Sequence, residues 1–300
     1  MKSVVALAAL GLVGSASGQA IDGSIIEAEY QLIWSNSEGT GFGNNRSEIN
    51  AIWSYVDSGT LYLGVTGNVQ DFNKLDLFFD SGAGGQNTLR GDNADVDFNQ
   101  LNTNLGGLTF DAGFEADYFL TYTVNGDRNE HFSGAAQLDT NGGGPGGAQG
   151  GGAYVDGDQL VANAGGANGF GYTIGTNQSN TGGVSDFGNA PDSDPTLVTT
   201  GVEIAIPLAE LGYTGGELRL AGFINGGAHD FLSNQVIGGL PAGTGNLGGD
   251  LNGNFIAPGT LAGIDFNNVA GDQAVTLIVP APASAALLGL GGLAAARRRR

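Results

Sequence analysis

Apolar residues recur at every second position in five segments of the chain. Successive side chains of a β-strand point to opposite faces, so this alternation predicts half-buried strands with one apolar face. No window has a sustained helical period, although one short helical turn is predicted at 208–211, with Gly212 just beyond it. The alternating segments are 61–65, 75–79, 118–124, 202–208 and 218–224, and further strand candidates are 25–34, 49–56, 153–162 and 274–279.

Nine or more short strands joined by turns predict an all-β protein, with a single jelly-roll-like β-sandwich as the default architecture. Asp57-Ser58-Gly59 between two strand candidates predicts a hairpin turn. Three segments, 141–152, 165–188 and 238–253, are so rich in glycine that we expect them to be long loops that do not pack. Because strand candidates flank each loop, we interpret 21–278 as one domain.

Charge and cysteine content exclude several functions. The chain has 30 acidic and 10 basic residues, and no acidic residue lies in either terminal segment, so the domain itself is strongly acidic. Such a surface repels phosphate backbones, which excludes nucleic acid as a partner. The absence of cysteine excludes disulfides, thiolate zinc sites and cysteine nucleophiles.

Residues 1–20 have the pattern of a secretory signal peptide. Lys2 supplies the basic start, residues 4–13 are an apolar run, and Gly18 and Ala20 place small side chains before a cleavage point after Ala20. The alternative is a buried N-terminal helix. We therefore expect an exported protein.

The C-terminal segment, 279–300, contains a proline-rich junction, a short apolar span and a basic end. Pro280, Ala281 and Pro282 precede the apolar residues 283–296, and the chain ends with Arg297, Arg298, Arg299 and Arg300. As a helix the apolar span rises only about 21 Å, which is less than a hydrocarbon core of about 30 Å. The arginines are expected to stay on the cytoplasmic side of the membrane.

This segment resembles the PEP-CTERM sorting signal of Gram-negative bacteria. The chain departs from the usual Val-Pro-Glu-Pro motif at Ala281, where the family has glutamate. The resemblance implies a sorting transpeptidase of the exosortase type as partner, transient anchoring in the inner membrane, and release to the cell surface or outside the cell. It also implies an association with exopolysaccharide. An ordinary C-terminal membrane helix is the alternative.

The domain carries a second resemblance, in three motifs that occur in order. They are Ile21-Asp22-Gly23 with Glu29-Tyr30, the segment 59–65, and the segment 201–208. The set is similar to the β-sandwich domains related to family 9 carbohydrate-binding modules and DOMON domains. This resemblance implies a fold rather than a ligand, and the haem ligands of some DOMON domains have no counterpart here.

Few residues have the spacing of a catalytic or metal site. His131 and His229 are the only histidines, and we expect both at the surface or in loops. The acidic residues scatter through turns, so no catalytic residue is predicted. Calcium is the one cofactor considered, because Asp95, Asp97 and Asn99 begin like an oxygen-ligand loop, as do Asp250, Asn252 and Asn254, although both then break the EF-hand pattern.

Aromatic rings are the candidate contacts for sugars, because a flat ring stacks on the apolar face of a sugar. Trp53 is in step with Ile49, Ala51 and Tyr55, which favours a place in the core. Trp34 lies at a strand end before a polar loop, and it is the residue predicted to bind glycan.

These features predict an exported, non-enzymatic surface or matrix protein associated with exopolysaccharide. A carbohydrate-binding module is the first alternative. The second is a secreted polysaccharide-active enzyme, which would have a cleft with two carboxylates about 5 to 9.5 Å apart.

Overall fold

The computed structural model describes residues 19–82, 84–96, 101–138, 151–156, 161–164 and 171–280. Within these ranges the chain forms two antiparallel sheets, so the predicted all-β sandwich is confirmed. One α-helix of five residues, α1 (Leu101–Leu105), interrupts the strands. The strands are β1 (Gln31–Ser35), β2 (Glu48–Asp57), β3 (Thr60–Asn68), β4 (Lys74–Asp80), β5 (Tyr118–Val124), β6 (Glu130–Gln137), β7 (Gly151–Asp156), β8 (Val161–Ala164), β9 (Tyr172–Thr176), β10 (Gly201–Pro207), β11 (Leu218–Asn225), β12 (Leu232–Val236) and β13 (Ala274–Leu277).

The two sheets alternate along the chain. The first has the order β1-β2-β3-β10-β9-β8, and the second has the order β12-β11-β4-β5-β6-β7, with β13 also paired to β11. The central pairs join strands that are far apart in sequence: Leu63 of β3 lies opposite Ile204 of β10, and Leu77 of β4 lies opposite Gly222 of β11.

The main core lies between the sheets. Both sheets contribute its aliphatic side chains, among them Leu63 and Ile204 from the first and Leu77 and Leu220 from the second. These are the residues that the alternation assigned to an apolar face, and each is fully buried. Burial of a side chain of this size contributes roughly 1.5–3 kcal/mol to stability.

The other face of the second sheet is also buried, which the alternation did not predict. Phe78, Phe119 and Phe223 project from β4, β5 and β11 into a second apolar cluster, which loop residues such as Phe110 and Phe266 complete. The rings of Phe78 and Phe110 meet edge to face with centroids 4.9 Å apart. The prediction of half-buried strands is therefore wrong for these three central strands, because loops cover the face expected to meet water.

Two local predictions are confirmed. Ser58 and Gly59 both have positive φ, 51° and 81°, and connect β2 to β3 as a two-residue hairpin turn. The predicted turn at 208–211 ends with Gly212 at φ 60°, and Tyr213 N–H donates to the Leu208 carbonyl at 3.1 Å. Together with the bond from Gly212 N–H to the Ala209 carbonyl, this is the Schellman arrangement.

Two of the glycine-rich segments pack where the structure describes them, in 171–188 and 238–253, contrary to prediction. Segment 165–188 contains β9, whose Tyr172 and Ile174 belong to the main core. Segment 238–253 places Leu247 in the second cluster. Residues 141–150 of the third segment lie outside the described residues.

Candidate functional site

Trp34 owes its position to an irregularity in β1. Leu32 pairs with Trp53 whereas Trp34 pairs with Ile52, so β1 has one extra residue, Ile33, at this point. Paired residues project from the same face of a sheet. Trp34 therefore shares the inner face with the core residue Ile52, packs against the main core and is half-buried rather than fully exposed.

A groove of about 380 Å³ lies beside this ring. Gly238 and Gly239 form the opposite wall with φ of 89° and 94°, and a Cβ on Gly239 would lie 3.7 Å from Trp34 Cζ2 and 3.8 Å from Nε1. Glycine therefore fits the backbone conformation of this wall and keeps it open beside the indole edge. The described lining residues are Trp34, Ser35, Asn36, Ser37, Glu38, Gly238, Gly239, Leu240, Pro241, Ala270 and Gly271.

Hydrogen bonds hold both walls of this Trp34 groove. Asn36 Nδ2 donates to the Ile49 carbonyl at 3.0 Å and to Gln235 Oε1 at 2.9 Å, and Asn36 Oδ1 accepts from Glu38 N–H at 3.0 Å. Glu38 Oε2 accepts from Gly243 N–H at 3.0 Å, which connects the two loops. Glu38 is the only charged residue among the described lining residues. The groove thus combines a preformed aromatic wall with neutral polar groups.

A second groove, the Phe187 groove, lies farther along the same two loops. Its volume is about 650 Å³, and Phe187 is 43% exposed within it. Phe231 forms another part of the wall and stacks on Phe42, with centroids 6.1 Å apart and an interplanar angle of 23°. The described lining residues are Thr40, Gly41, Gly43, Asp186, Phe187, Phe231, Gly245, Asn246 and Gly253.

Asn234 joins the two loops that line both grooves. Its Nδ2 donates to the carbonyls of Gly39 at 2.8 Å and Thr244 at 3.0 Å, and its Oδ1 accepts from Gly41 N–H at 3.0 Å. The loop that carries Glu38 and Gly41 is therefore fixed to the loop that carries Gly239 and Asn246. Each groove has one carboxylate among its described lining residues, Glu38 in the first and Asp186 in the second.

A buried carboxylate, Glu203 of β10, holds the segment that precedes β1. Glu203 is 0% exposed, and its Oε2 accepts from the backbone N–H of Asp22 at 2.9 Å and of Gly23 at 3.1 Å. Its Oε1 accepts from Tyr30 Oη at 2.7 Å and from Gln19 Nε2 at 3.2 Å. Burial raises the pKa of Glu203, and these four donors oppose that shift. Residues 19–30 are in this way attached to the outer face of the first sheet.

Aromatic rings surround this attachment. Tyr55 stacks on Tyr62 with centroids 4.5 Å apart, and meets the edge of Tyr30 at 4.9 Å. Burial, followed by the charge of Glu203, raises the pKa of Tyr30 well above its usual range, so its hydroxyl stays protonated and donates to Glu203. The structure thus brings together residues from two of the motifs noted in the sequence, Asp22-Gly23 with Tyr30 and Glu203.

Trp53 lies on this outer face, not in the main core as predicted. A register shift between Ile49 and Ala51 puts Ile49 and Ile52 on the inner face. Ala51 and Trp53 therefore face outward, and Trp53 is half-buried with an indole nitrogen that is buried without a hydrogen-bond partner. A single extra residue in β2 is the reason that the prediction was wrong.

Glu48, at the start of β2, is a second buried carboxylate. It is 1% exposed; Oε1 accepts from Asn180 Nδ2 at 2.6 Å and from Asn50 Nδ2 at 3.2 Å, and Oε2 accepts from Asn45 N–H at 2.9 Å. Burial outweighs these donors and raises the pKa of Glu48 to about 7. The carboxyl therefore titrates near neutral pH.

Both histidines are fully buried, so neither lies at the surface. The prediction of a surface or loop position is wrong for His131, which lies in β6, whereas His229 does lie in the loop between β11 and β12. His131 Nε2 lies 3.1 Å from the Arg128 carbonyl, which can only accept, so Nε2 donates to it, and His131 Nδ1 forms a hydrogen bond of 2.9 Å with Tyr122 Oη. His229 Nδ1 lies 3.1 Å from Asp76 Oδ2. Neither histidine is among the described lining residues of the two grooves.

The structure describes the second oxygen-ligand loop fully and the first only in part. Among the described residues no group of three or more histidine, aspartate or glutamate side chains is arranged to hold a metal ion. Asp95 is exposed, and Asp97 and Asn99 lie outside the described residues. In the other loop Asp250 Oδ1 accepts from the N–H groups of Asn252 and Asn254 at 2.9 and 3.1 Å, which is an ordinary turn contact.

The residues of the predicted processing sites lie at or beyond the limits of the described structure. Ala20 and Pro280 are exposed, while Gly18, Ala281, Pro282 and Arg297, Arg298, Arg299 and Arg300 lie outside it. Among the described residues no helix has the length and apolar character needed to cross a membrane.

Comparison with known proteins gave no match. No protein-family model, no curated protein and no solved structure is similar to the chain.

Sequence reasoning missed Phe187, Glu203 and Glu48. Phe187 lies in a segment whose glycine content suggested an unpacked loop. Glu203 belonged to the motif 201–208, which implied a fold and no site, and Glu48 was not distinguished from other polar residues. The only available signal was the position of Glu203, a charged residue inside the alternating segment 202–208.

Proposed function

We propose that this protein is exported and serves, without catalysis, as a surface or matrix protein that binds neutral exopolysaccharide in the Trp34 groove. In this proposal the sandwich is jelly-roll-like, residues 1–20 direct export, and a sorting transpeptidase processes the tail 279–300 at the inner membrane. The proposal thus joins the surface role to the carbohydrate-binding alternative.

The observation that carries the proposal is the preformed groove beside the indole of Trp34. A sugar buries its apolar face against an aromatic ring, and its hydroxyls need polar groups close by. The indole N–H of Trp34 makes no hydrogen bond to a described residue. Its nitrogen is not fully buried, so it is available to a ligand. The neutral polar residues Ser35, Asn36 and Ser37 line the same groove.

Charge supports a neutral glycan over an acidic one. Neither groove has a lysine, arginine or histidine among its described lining residues. The formal net charge of the chain is −20, so a polyanion would be repelled over most of the surface. A neutral polymer meets no such barrier.

The Phe187 groove supports a polymer as the ligand. It is formed by the same two loops as the Trp34 groove, which Asn234 holds together, and it offers the exposed ring of Phe187. Two weak contacts on one chain bind a polymer more tightly than either contact alone.

The test is retention of the exported protein on the exopolysaccharide of the producing cells, measured by affinity electrophoresis. Removing a ring that buries on the order of 60 Å² of apolar surface costs about 1.5 kcal/mol, which corresponds to about a tenfold loss of affinity. We expect this loss for Trp34→Ala. Because Trp34 also packs on the core, Trp34→Tyr is the companion variant, since it keeps a flat ring and should retain most of the affinity.

The matched control is Phe72→Ala, which removes a ring that is 52% exposed and lies outside the lining of both grooves. Its retention should equal that of the wild type. Equal retention of Trp34→Ala and wild type, or no retention of the wild type on any neutral fraction, would exclude the proposed function.

A further inference from the structure

We infer that Glu203 is the binding site for the α-ammonium group that export creates at Ile21. The inference rests on the proposed export, in which cleavage after Ala20 makes Ile21 the first residue. It concerns a different part of the molecule from the grooves.

Glu203 is a buried carboxylate without a cation among the described residues. Its donors are two backbone N–H groups, one hydroxyl and the side-chain amide of Gln19, and none of the described ion pairs includes it. A buried carboxylate is costly unless hydrogen bonds or an opposite charge compensate it. Among the described residues only hydrogen bonds compensate this charge, so a positive group would supply the opposite charge that the site lacks.

Ile21 lies directly beside this carboxylate. Gly175 of β9 is the residue paired with Glu203, and a Cβ on Gly175 would collide with the carbonyl of Ile21. Asp22 N lies 2.9 Å from Glu203 Oε2, and covalent geometry keeps Ile21 N within about 3.6 Å of Asp22 N. The nitrogen of Ile21 is thus at most about 6.5 Å from Oε2 before any adjustment.

Cleavage after Ala20 also removes a competing donor. Gln19 Nε2 donates to Oε1 of Glu203 and Gln19 Oε1 accepts from Tyr55 Oη at 3.0 Å, so the uncleaved chain satisfies both groups through one amide. Once Gln19 has left, Oε1 keeps only the hydroxyl of Tyr30. The new ammonium can take the place of the amide, and a charge-assisted hydrogen bond is roughly twice as strong as a neutral one.

Two consequences follow for the mature protein. The segment that begins at Ile21 is held more firmly on the sheet than the same segment in the precursor. An extension at the amino end, even of two residues, breaks the pair because it replaces the ammonium of Ile21 with a neutral amide.

The experiment compares the exported protein with a variant that has Gly-Ser inserted between Ala20 and Ile21, each with Glu203 or with Glu203→Gln. The readout is the rate at which an acylating reagent modifies the amino terminus at neutral pH, located by peptide mass spectrometry. Lysine side chains interfere little with this measurement. The chain has only two lysines, of which Lys2 is removed with the leader and Lys74 is buried.

We expect the amino terminus of the wild type to react at least tenfold more slowly than that of the inserted variant. Glu203→Gln should raise the rate of the wild-type terminus to that of the inserted one, and should leave the inserted variant unchanged. Glu203→Asp, which shortens the side chain but keeps the charge, should give an intermediate rate and serves if the glutamine variant does not fold.

Equal rates in the wild type and the inserted variant would overturn the inference, as would an exported chain that begins at a residue other than Ile21. Retention on polysaccharide depends on Trp34 and not on the amino terminus. Failure of the acylation experiment alone would therefore overturn this inference, and failure of the retention experiment alone would overturn the proposed function.

Discussion

Glu48→Gln is expected to remove a large part of the pH dependence of stability. The carboxyl of Glu48 is 1% exposed, and burial raises its pKa from 4.5 to about 7. Between these two values the folded protein holds a proton that the unfolded chain has released. The stabilising contribution is therefore fully present below pH 4.5 and is lost as the pH rises through about 7.

The size of the effect follows from the shift. One pKa unit corresponds to about 1.4 kcal/mol, so this group lowers the free energy of unfolding by about 3 kcal/mol between pH 4.5 and pH 8. Glutamine does not titrate. Its amide nitrogen must face either Asn45 N–H or the amides of Asn50 and Asn180, which are all donors. The variant is therefore also destabilised by an amount that does not change with pH, the constant penalty.

The assay is urea unfolding of both proteins at several pH values from 4.5 to 8. The constant penalty cancels when the difference in unfolding free energy between wild type and variant is plotted against pH. We expect this difference to fall by about 3 kcal/mol across the range. Burial also raises the pKa values of Asp80, Asp117 and Glu203, so both proteins should share an additional loss of stability as the pH rises above the ordinary carboxyl range.

Glu217→Gln is the control, because it removes one negative charge from an exposed position. The difference between this variant and the wild type should be flat within about 0.5 kcal/mol, as for most surface substitutions. A flat or rising difference for Glu48→Gln would refute the reasoning, since it would mean that the three donors balance or outweigh burial.

Two further stability predictions follow from the sheets. Gly67→Ala should lower the free energy of unfolding by at least about 3 kcal/mol, because Gly67 has φ 132° and a Cβ there would collide with a carbonyl of β2. Gly59→Ala, at φ 81° in open space, should lower it by only about 1 kcal/mol. Equal midpoints of thermal unfolding for the two variants would contradict this argument. Tyr122→Phe should lower the free energy of unfolding in urea by about 1–3 kcal/mol, because it removes the buried hydroxyl that joins His131 Nδ1 to Thr176 Oγ1. A decrease below about 0.5 kcal/mol would be inconsistent with this hydrogen-bonded chain.

The sequence predicted the sheets better than it predicted which way their side chains face. Alternation located β3, β4, β5, β10 and β11 within one or two residues at most ends, because their inner faces are consistently apolar, and the further candidate 49–56 corresponds to β2. It missed β6, β9 and β12, whose segments contain many small or polar residues. Such strands are specified by their neighbours more than by their own composition.

The orientation of individual side chains depended on register, which no single strand encodes. One extra residue turned Trp34 inward and another turned Trp53 outward, so a two-residue period extended across either irregularity gives the wrong face. The buried phenylalanines of the central strands were missed for a different reason. They are buried by residues of loops, and these loops have no periodic pattern of their own.

The site was predictable only in part. Trp34 was identified as the residue at the strand end, but the glycine wall opposite it and the Phe187 groove depend on loops distant in sequence. Glu203 could not be distinguished from a solvated residue without knowing that residues 19–30 cover it.

The strand order has a consequence for how the chain reaches this structure. β3 can pair with β10, and β4 with β11, only after the later strand has been synthesised. The middle of both sheets is therefore complete only when residues near 225 are available. Pairings between distant segments pay the entropy of closing long loops first, which makes folding slow. A growing chain would therefore keep its amino-terminal half unfolded through most of its synthesis. Nascent chains truncated before β10 should accordingly remain sensitive to protease, and those that extend past β12 should become resistant.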